Sequence, residues 1–353
     1  MGRALLAAVL IALATPALAA PVPVSEVIER AVEDYIRPGF SELAESAATL
    51  HSATEALCAD PGAAAHAAAR QGFGDVVTAF SRIEFVRFGP LSQQNRLDRL
   101  FFWPDRKGIG LKQIQALLAE PPVEPLDMST KSVALQGFGA LEFVLFGTGS
   151  EVLASADGVN RCIYARAITA GIATITAEIV ADWMAPDGIA ARMENPSAQN
   201  TDFRSHTEVL EALTGVLAHG VEAIRDTRLL PFIGKDGKTY KPKSAPFWRS
   251  GMTGPVLRAN IEGLTRLYVV SRVGLAASAD NLWVDNGITF ELANASRATA
   301  GLDAPVDQAL ADPAEARGYA YLLILTQSLQ VLLGENLPAA LGLSVGFSAL
   351  DGD

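Results

Sequence analysis

Between Val24 and Leu57 the apolar residues Val24, Val27, Ile28, Val32, Tyr35, Ile36, Phe40, Leu43 and Leu50 return every three or four positions, with Glu26, Glu29, Glu33 and Asp34 between them. Side chains at that interval share one face of an α-helix, whereas a half-buried strand would alternate by twos. The pattern predicts an amphipathic helix bent at Pro38, whose ring leaves no N–H to donate. Helical periodicity recurs over 63–88, 111–118, 160–184, 205–225, 255–276, 288–299 and 315–333, broken by Asp60-Pro61-Gly62, Gly89-Pro90, Pro186-Asp187-Gly188 and Asn195-Pro196-Ser197. Helices built this way bury their apolar faces on one another, so the fold class is all-α. The chain has 353 residues and half of them are hydrophobic, enough for two cores. The Pro- and Gly-containing stretch at 186–197 divides it into helical bundles over 21–195 and 196–353.

The two halves echo each other. Ile83-Glu84-Phe85-Val86-Arg87 matches Val221-Glu222-Ala223-Ile224-Arg225, and Phe102-Trp103-Pro104 follows the first as Phe247-Trp248-Arg249 follows the second. Leu141-Glu142-Phe143 corresponds to Phe290-Glu291-Leu292. Short matches in the same order are what an internal duplication predicts.

Residues 1–20 read as a secretory signal: Arg3 supplies the positive start, 4–14 the apolar segment and Ala17-Leu18-Ala19 the small-residue cleavage site. No cysteine follows directly to carry a lipid, so the expected product is soluble, exported to the periplasm and not an integral membrane protein. In an oxidising compartment Cys58 and Cys162 form either a disulfide or two buried thiols, and two cysteines are too few for a thiolate metal site. A net charge of -11 argues against nucleic acid or an anionic membrane as partner and leaves a cation or a neutral ligand.

The chemistry centres on the stretch from Gln136 to Gly147, where Glu142 stands among Leu141, Phe143, Val144, Leu145 and Phe146. A carboxylate in such surroundings must be hydrogen-bonded, paired or metal-bound to stay charged. Similar acids recur at Glu84, Glu222 and Glu291. One reading has Glu84 and Glu142 converging between helices, with His219-x-x-Glu222 placing an imidazole and a carboxylate on one helical face. Glu84, Glu142, His219 and Glu222 are then the candidate ligands of iron or another divalent cation. The other reading makes Glu84 with Arg87, and Glu222 with Arg225, structural ion pairs one turn apart. Arg87, Arg96, Arg99 and Trp103 are the candidate ligand-pocket residues, the arginines being also candidate partners of Glu142. His51, His66 and His206 are expected to be solvated. No Gly-x-Ser-x-Gly, His-Glu-x-x-His or phosphate-loop pattern occurs, so nothing points to covalent catalysis.

Several segments together resemble the imelysin-like family: Glu84 to Pro90, the Phe102-Trp103-Pro104-Asp105 loop, Gly137 to Glu142, Ala245 to Gly251, and the ending Gly346 to Asp353. The resemblance spans nearly the whole mature chain. It implies two four-helix bundles, a place in the cell envelope, and a link to iron acquisition with iron-uptake or envelope proteins as partners. The family is also associated with metallopeptidase activity, the alternative to a non-catalytic ligand- or metal-binding role. Its proposed metal motif, Gly-x-His-x-x-Glu, falls on Gly137, Gly139 and Glu142, with glycine where the histidine would stand.

Overall fold

Wherever the three-and-four periodicity runs, a helix forms, and no strand occurs among the described residues of this computed structural model. Those residues are 20–105, 107–121, 124–237 and 239–343; the predicted signal before Ala20 and the ending at 346–353 lie outside them. Helices of ten or more residues are numbered α1 Arg37–Ala59, α2 Ala63–Ile83, α3 Ile109–Ala119, α4 Gly137–Phe146, α5 Val159–Met184, α6 His206–Ala223, α7 Thr253–Ser271, α8 Leu282–Thr299 and α9 Pro313–Val331.

At Pro38, where a bend is expected, the helix runs on behind a wider turn. Val24–Ala31 continues through a π-helical turn, Val32–Ile36, into α1. The same device follows α6 at Ile224–Leu229 and α9 at Leu332–Asn336. Each turn ends two residues before a proline, Pro38, Pro231 or Pro338. Proline offers no N–H and its ring crowds the carbonyl one turn back, so widening the preceding turn lets the helix continue.

Helices α1, α2, α4 and α5 pack on one another, α6 to α9 do the same, and α2 lies against α7 to join them. Helices α1 and α5 run antiparallel. Phe40 stacks on Trp183 at 5.9 Å near one end, His51 Nδ1 lies 3.0 Å from Thr169 Oγ1 in the middle, and Cys58 is bonded to Cys162 at the other end with Cα atoms 5.5 Å apart. Of the two thiol states open in the sequence, the disulfide is the one formed. It closes a 104-residue separation, a cross-link of the kind that stabilises by about 2–4 kcal/mol, chiefly through the unfolded chain. The segment that includes α5 is long and apolar enough to cross a membrane by composition alone. Here it is a core helix: Ile168, Ile172, Ile175 and Ile179 are buried, and its Arg166 pairs with Glu55 and Glu124.

At the α2–α7 contact a Cβ on Gly263 would stand 2.0 Å from the Arg82 carbonyl oxygen, so only glycine allows the two backbones this close. Asn260, one turn earlier, donates to the Ser81 carbonyl at 2.7 Å. One continuous buried cluster runs from Val22 to Leu337 across both sets of helices. Glu291, the fourth of the recurring acids, ties α8 to α9 by accepting from Ser328 Oγ at 2.8 Å.

Candidate functional site

Helix α4 starts where it does because residue 137 is glycine. Gly137 has φ +67°, and a Cβ there would lie 2.1 Å from the Leu100 carbonyl oxygen and 2.4 Å from that of Arg99. The close approach presses α4 onto the short helix Arg96–Leu100. Gln136 fastens the junction, accepting from Arg99 Nε at 3.1 Å and donating to the Lys131 carbonyl at 2.8 Å. Five residues on, Glu142 is 4% exposed.

The partner of Glu142 is the segment around Ser250. Glu142 Oε1 accepts from the Ser250 backbone N–H at 3.0 Å and from its hydroxyl at 2.9 Å, while Arg249 Nη1 stands 4.0 Å from Oε2. Burial pushes the Glu142 carboxyl above the ordinary carboxylate range; the Ser250 donors, then Arg249, pull it back. Burial likewise pulls the Arg249 guanidinium down, with Glu142 opposing.

Ser250 reaches Glu142 from a tight turn in which Phe247 adopts φ +54°. A left-handed conformation at a residue with a Cβ costs about 1–2 kcal/mol. Aromatic packing holds it: Phe247 stacks on Phe101 at 4.7 Å and meets Phe73 edge-on at 5.9 Å. Trp103 extends the stack, lying 5.9 Å from Phe101, and its Nε1 donates to the Thr227 carbonyl in the π-helical turn after α6 at 2.9 Å. The two Phe-Trp segments that echo each other in sequence therefore meet.

Between them lies a cavity of about 540 Å³, walled by Trp103, Glu142, Lys241, Lys243, Trp248 and Arg249, with Asp105 and Asp226 also on its lining. Its acids are engaged within the protein. Asp105 caps α3, accepting from the N–H of Ile109 at 2.9 Å and of Gly110 at 2.8 Å. Asp226 takes both Nε and Nη2 of Arg225 at 2.7 and 2.9 Å. The Trp248 ring carries Arg249 at 4.4 Å and Lys243 at 5.7 Å.

The other residues singled out from sequence lie elsewhere. Glu84 is buried at the end of α2, where Arg228 donates to its Oε2, Asn260 Nδ2 donates to Oε1 at 2.8 Å, and Arg87 approaches to 3.8 Å. Arg228 also lies 4.7 Å over the Phe101 ring. His219 Nδ1 lies 3.5 Å from Glu222 Oε2 on α6, and His219 lines a second cavity of about 340 Å³ with Arg87, Phe85 and Phe88. Arg96 is buried against Asp182 at 2.6 Å and Glu178 at 3.2 Å on α5; Arg99 holds Gln136. Of the four pocket residues, only Trp103 stands on the wall beside Glu142. The partner of Glu142 is the Arg249-Ser250 pair and none of Arg87, Arg96 or Arg99, because each of those is drawn to groups on its own side of the fold. His66 departs from expectation too: it is buried, with Nε2 3.2 Å from the Leu145 carbonyl oxygen, because α2 turns that face onto α4.

Among the described residues no three histidine, cysteine, aspartate or glutamate side chains are placed to share a cation. The set Glu84, Glu142, His219 and Glu222 is thus not gathered, and Glu142, bonded to Ser250 and facing a guanidinium, does not by itself fit a bare metal ion. Gly139 is exposed and a Cβ there meets nothing within 4 Å, so the missing imidazole of the motif is not excluded by space. Sequence reasoning missed Arg249 and Ser250, although it marked their segment, and it missed Arg228 and Asn260. Asn260 had a signal, being a polar residue between Leu257, Ile261 and Leu264 on an otherwise apolar helical face.

Comparison with known proteins gives a match to the family described as Imelysin over residues 36–332. No curated protein matches significantly. Two solved structures share the fold. An imelysin-like protein from Psychrobacter arcticum 273-4 superposes with TM-score 0.73 at 20% identity, covering 94% of this chain and 100% of that one. A protein described as an iron-regulated protein A precursor, from Parabacteroides distasonis ATCC 8503, superposes with TM-score 0.74 at 15% identity, covering 92% and 97%. At these identities the likeness is one of fold.

Proposed function

The chain belongs to the imelysin family, and from that premise we propose that it is an exported, non-catalytic protein that binds a ligand or metal in the Glu142 cavity as a component of iron uptake. The observation that carries this reading is the cavity itself. The family motif stretch, the Trp103 loop and the Trp248-Arg249-Ser250 turn converge on one concave, partly aromatic space with a buried carboxylate on its wall. The reading is non-catalytic because, among the described residues, no three ligating side chains are gathered to hold a hydrolytic metal. The iron link draws support from the fold shared with the iron-regulated protein A precursor, and the periplasmic location from the signal pattern of residues 1–20.

The test has two arms. Purified protein is titrated with ferric, ferrous and zinc salts and with ferric chelates, following the fluorescence of Trp103 and Trp248. Saturable binding that weakens at least about tenfold in Trp248→Ala is expected, since a stacked tryptophan in a pocket commonly carries ~1.4 kcal/mol or more. No saturable binding by any of these overturns the binding role. In cells, unchanged uptake of labelled iron under limitation after loss of the protein overturns the link to iron.

A further inference from the structure

The cavity's charges are unevenly spent. Its three acids are already used, Glu142 by Ser250, Asp105 by the start of α3 and Asp226 by Arg225. Its three cations are not used to the same extent. Among the described residues Lys241 and Lys243 form no ion pair, and Arg249 has only the 4.0 Å approach to Glu142. Lys243 and Arg249 both lie against the Trp248 ring, a surface that attracts cations without neutralising them. On a chain of net charge -11, a cavity lining on which Lys241, Lys243 and Arg249 stand without close ion pairs is more cationic than the average surface.

Resting on the binding role above, we propose that the ligand of this cavity is a small organic polyanion of the polycarboxylate class, taken either free or as its anionic metal chelate, held by Lys241, Lys243 and Arg249. Guanidinium and ammonium donors on one wall suit several carboxylates spread over a small molecule. Trp103 and Trp248 supply apolar surface for its carbon skeleton. Burial pushes the Glu142 carboxyl up, which lessens its opposition to an anion, and Ser250 already occupies its Oε1. In this arrangement a metal arrives inside its chelate, so the cavity needs no coordination sphere of its own.

The discriminating experiment titrates the full chain with citrate, ferric citrate, and ferric or zinc ion supplied without a polycarboxylate, in low and high salt. Wild type, Lys241→Ala/Lys243→Ala and Glu142→Gln are compared. Both lysines are exposed, so the double variant keeps its fold. Citrate, ferric citrate or both are expected to bind, at least about tenfold more weakly in the double variant and more weakly in high salt. The tighter of the two identifies the free or the metal-loaded source. Polyanion binding that the double variant leaves unchanged overturns the proposal. So does binding of bare metal alone, with loss in Glu142→Gln, although the binding role then stands. Absence of every signal overturns both.

Discussion

Glu84 and Glu142 are both glutamates sunk in apolar surroundings, yet they have opposite fates. Glu84, 1% exposed, is closed off by Arg228, itself 3% exposed, and by Asn260. Both charges of that pair are out of water, so each depends on the other. Glu142 is nearly as buried, but its main partner is neutral Ser250, its cation Arg249 is more distant and 23% exposed, and one side of it opens on a cavity. The difference teaches that burial of an acid does not identify a site. A sealed acid with a full-strength counter-ion holds the fold together, whereas an incompletely matched acid on a cavity wall is available for function.

The sharpest way to break this comparison is Arg228→Ala. It leaves the Glu84 carboxylate buried without its cation and is expected to cost about 3–5 kcal/mol in urea unfolding. A loss below ~1 kcal/mol would mean that Asn260 and Arg87 suffice and that Glu84 is no more committed than Glu142. Arg249→Ala is the counterpart at the other acid. With a separation of 4.0 Å and a partly exposed guanidinium, its stability cost is expected to stay under about 1 kcal/mol. A cost equal to that of Arg228→Ala would erase the contrast.

Glu142→Gln tests the smallest effect, through pH. The folded carboxyl titrates above its ordinary value of 4.5. As pH rises past that value the unfolded chain releases its proton before the folded one. Glu142 therefore contributes stability at low pH that is lost as pH climbs through the raised value. Thermal melts from about pH 4 to about pH 8 should show a shallower decline in the variant than in wild type. An identical slope would mean that Ser250 and Arg249 fully offset the burial.

Much of the fold was legible in the sequence because helical periodicity is local. The helices predicted over 160–184 and 315–333 form at Val159–Met184 and Pro313–Val331, and the helix expected to bend at Pro38 has a π-helical turn, Val32–Ile36, just before it. The site was legible only in part. Glu142 and Trp103 stood out, one by its apolar neighbours and the other by the echo with Trp248. Ser250 is 108 positions from Glu142 and Arg228 is 144 from Glu84, and no short-range pattern announces either partner. No sequence pattern set Lys241 and Lys243 apart.

By itself, then, the sequence determined that the chain is helical, which faces are apolar, and that certain carboxylates must find partners. Each of these follows from chain geometry over one or two turns, or from the cost of leaving a charge unpaired in an apolar setting. Only the tertiary structure decided which glutamate is sealed and which faces a cavity. That choice depends on which distant backbone comes close: Gly137 pressing α4 against Leu100, and Gly263 letting α7 lie against Arg82.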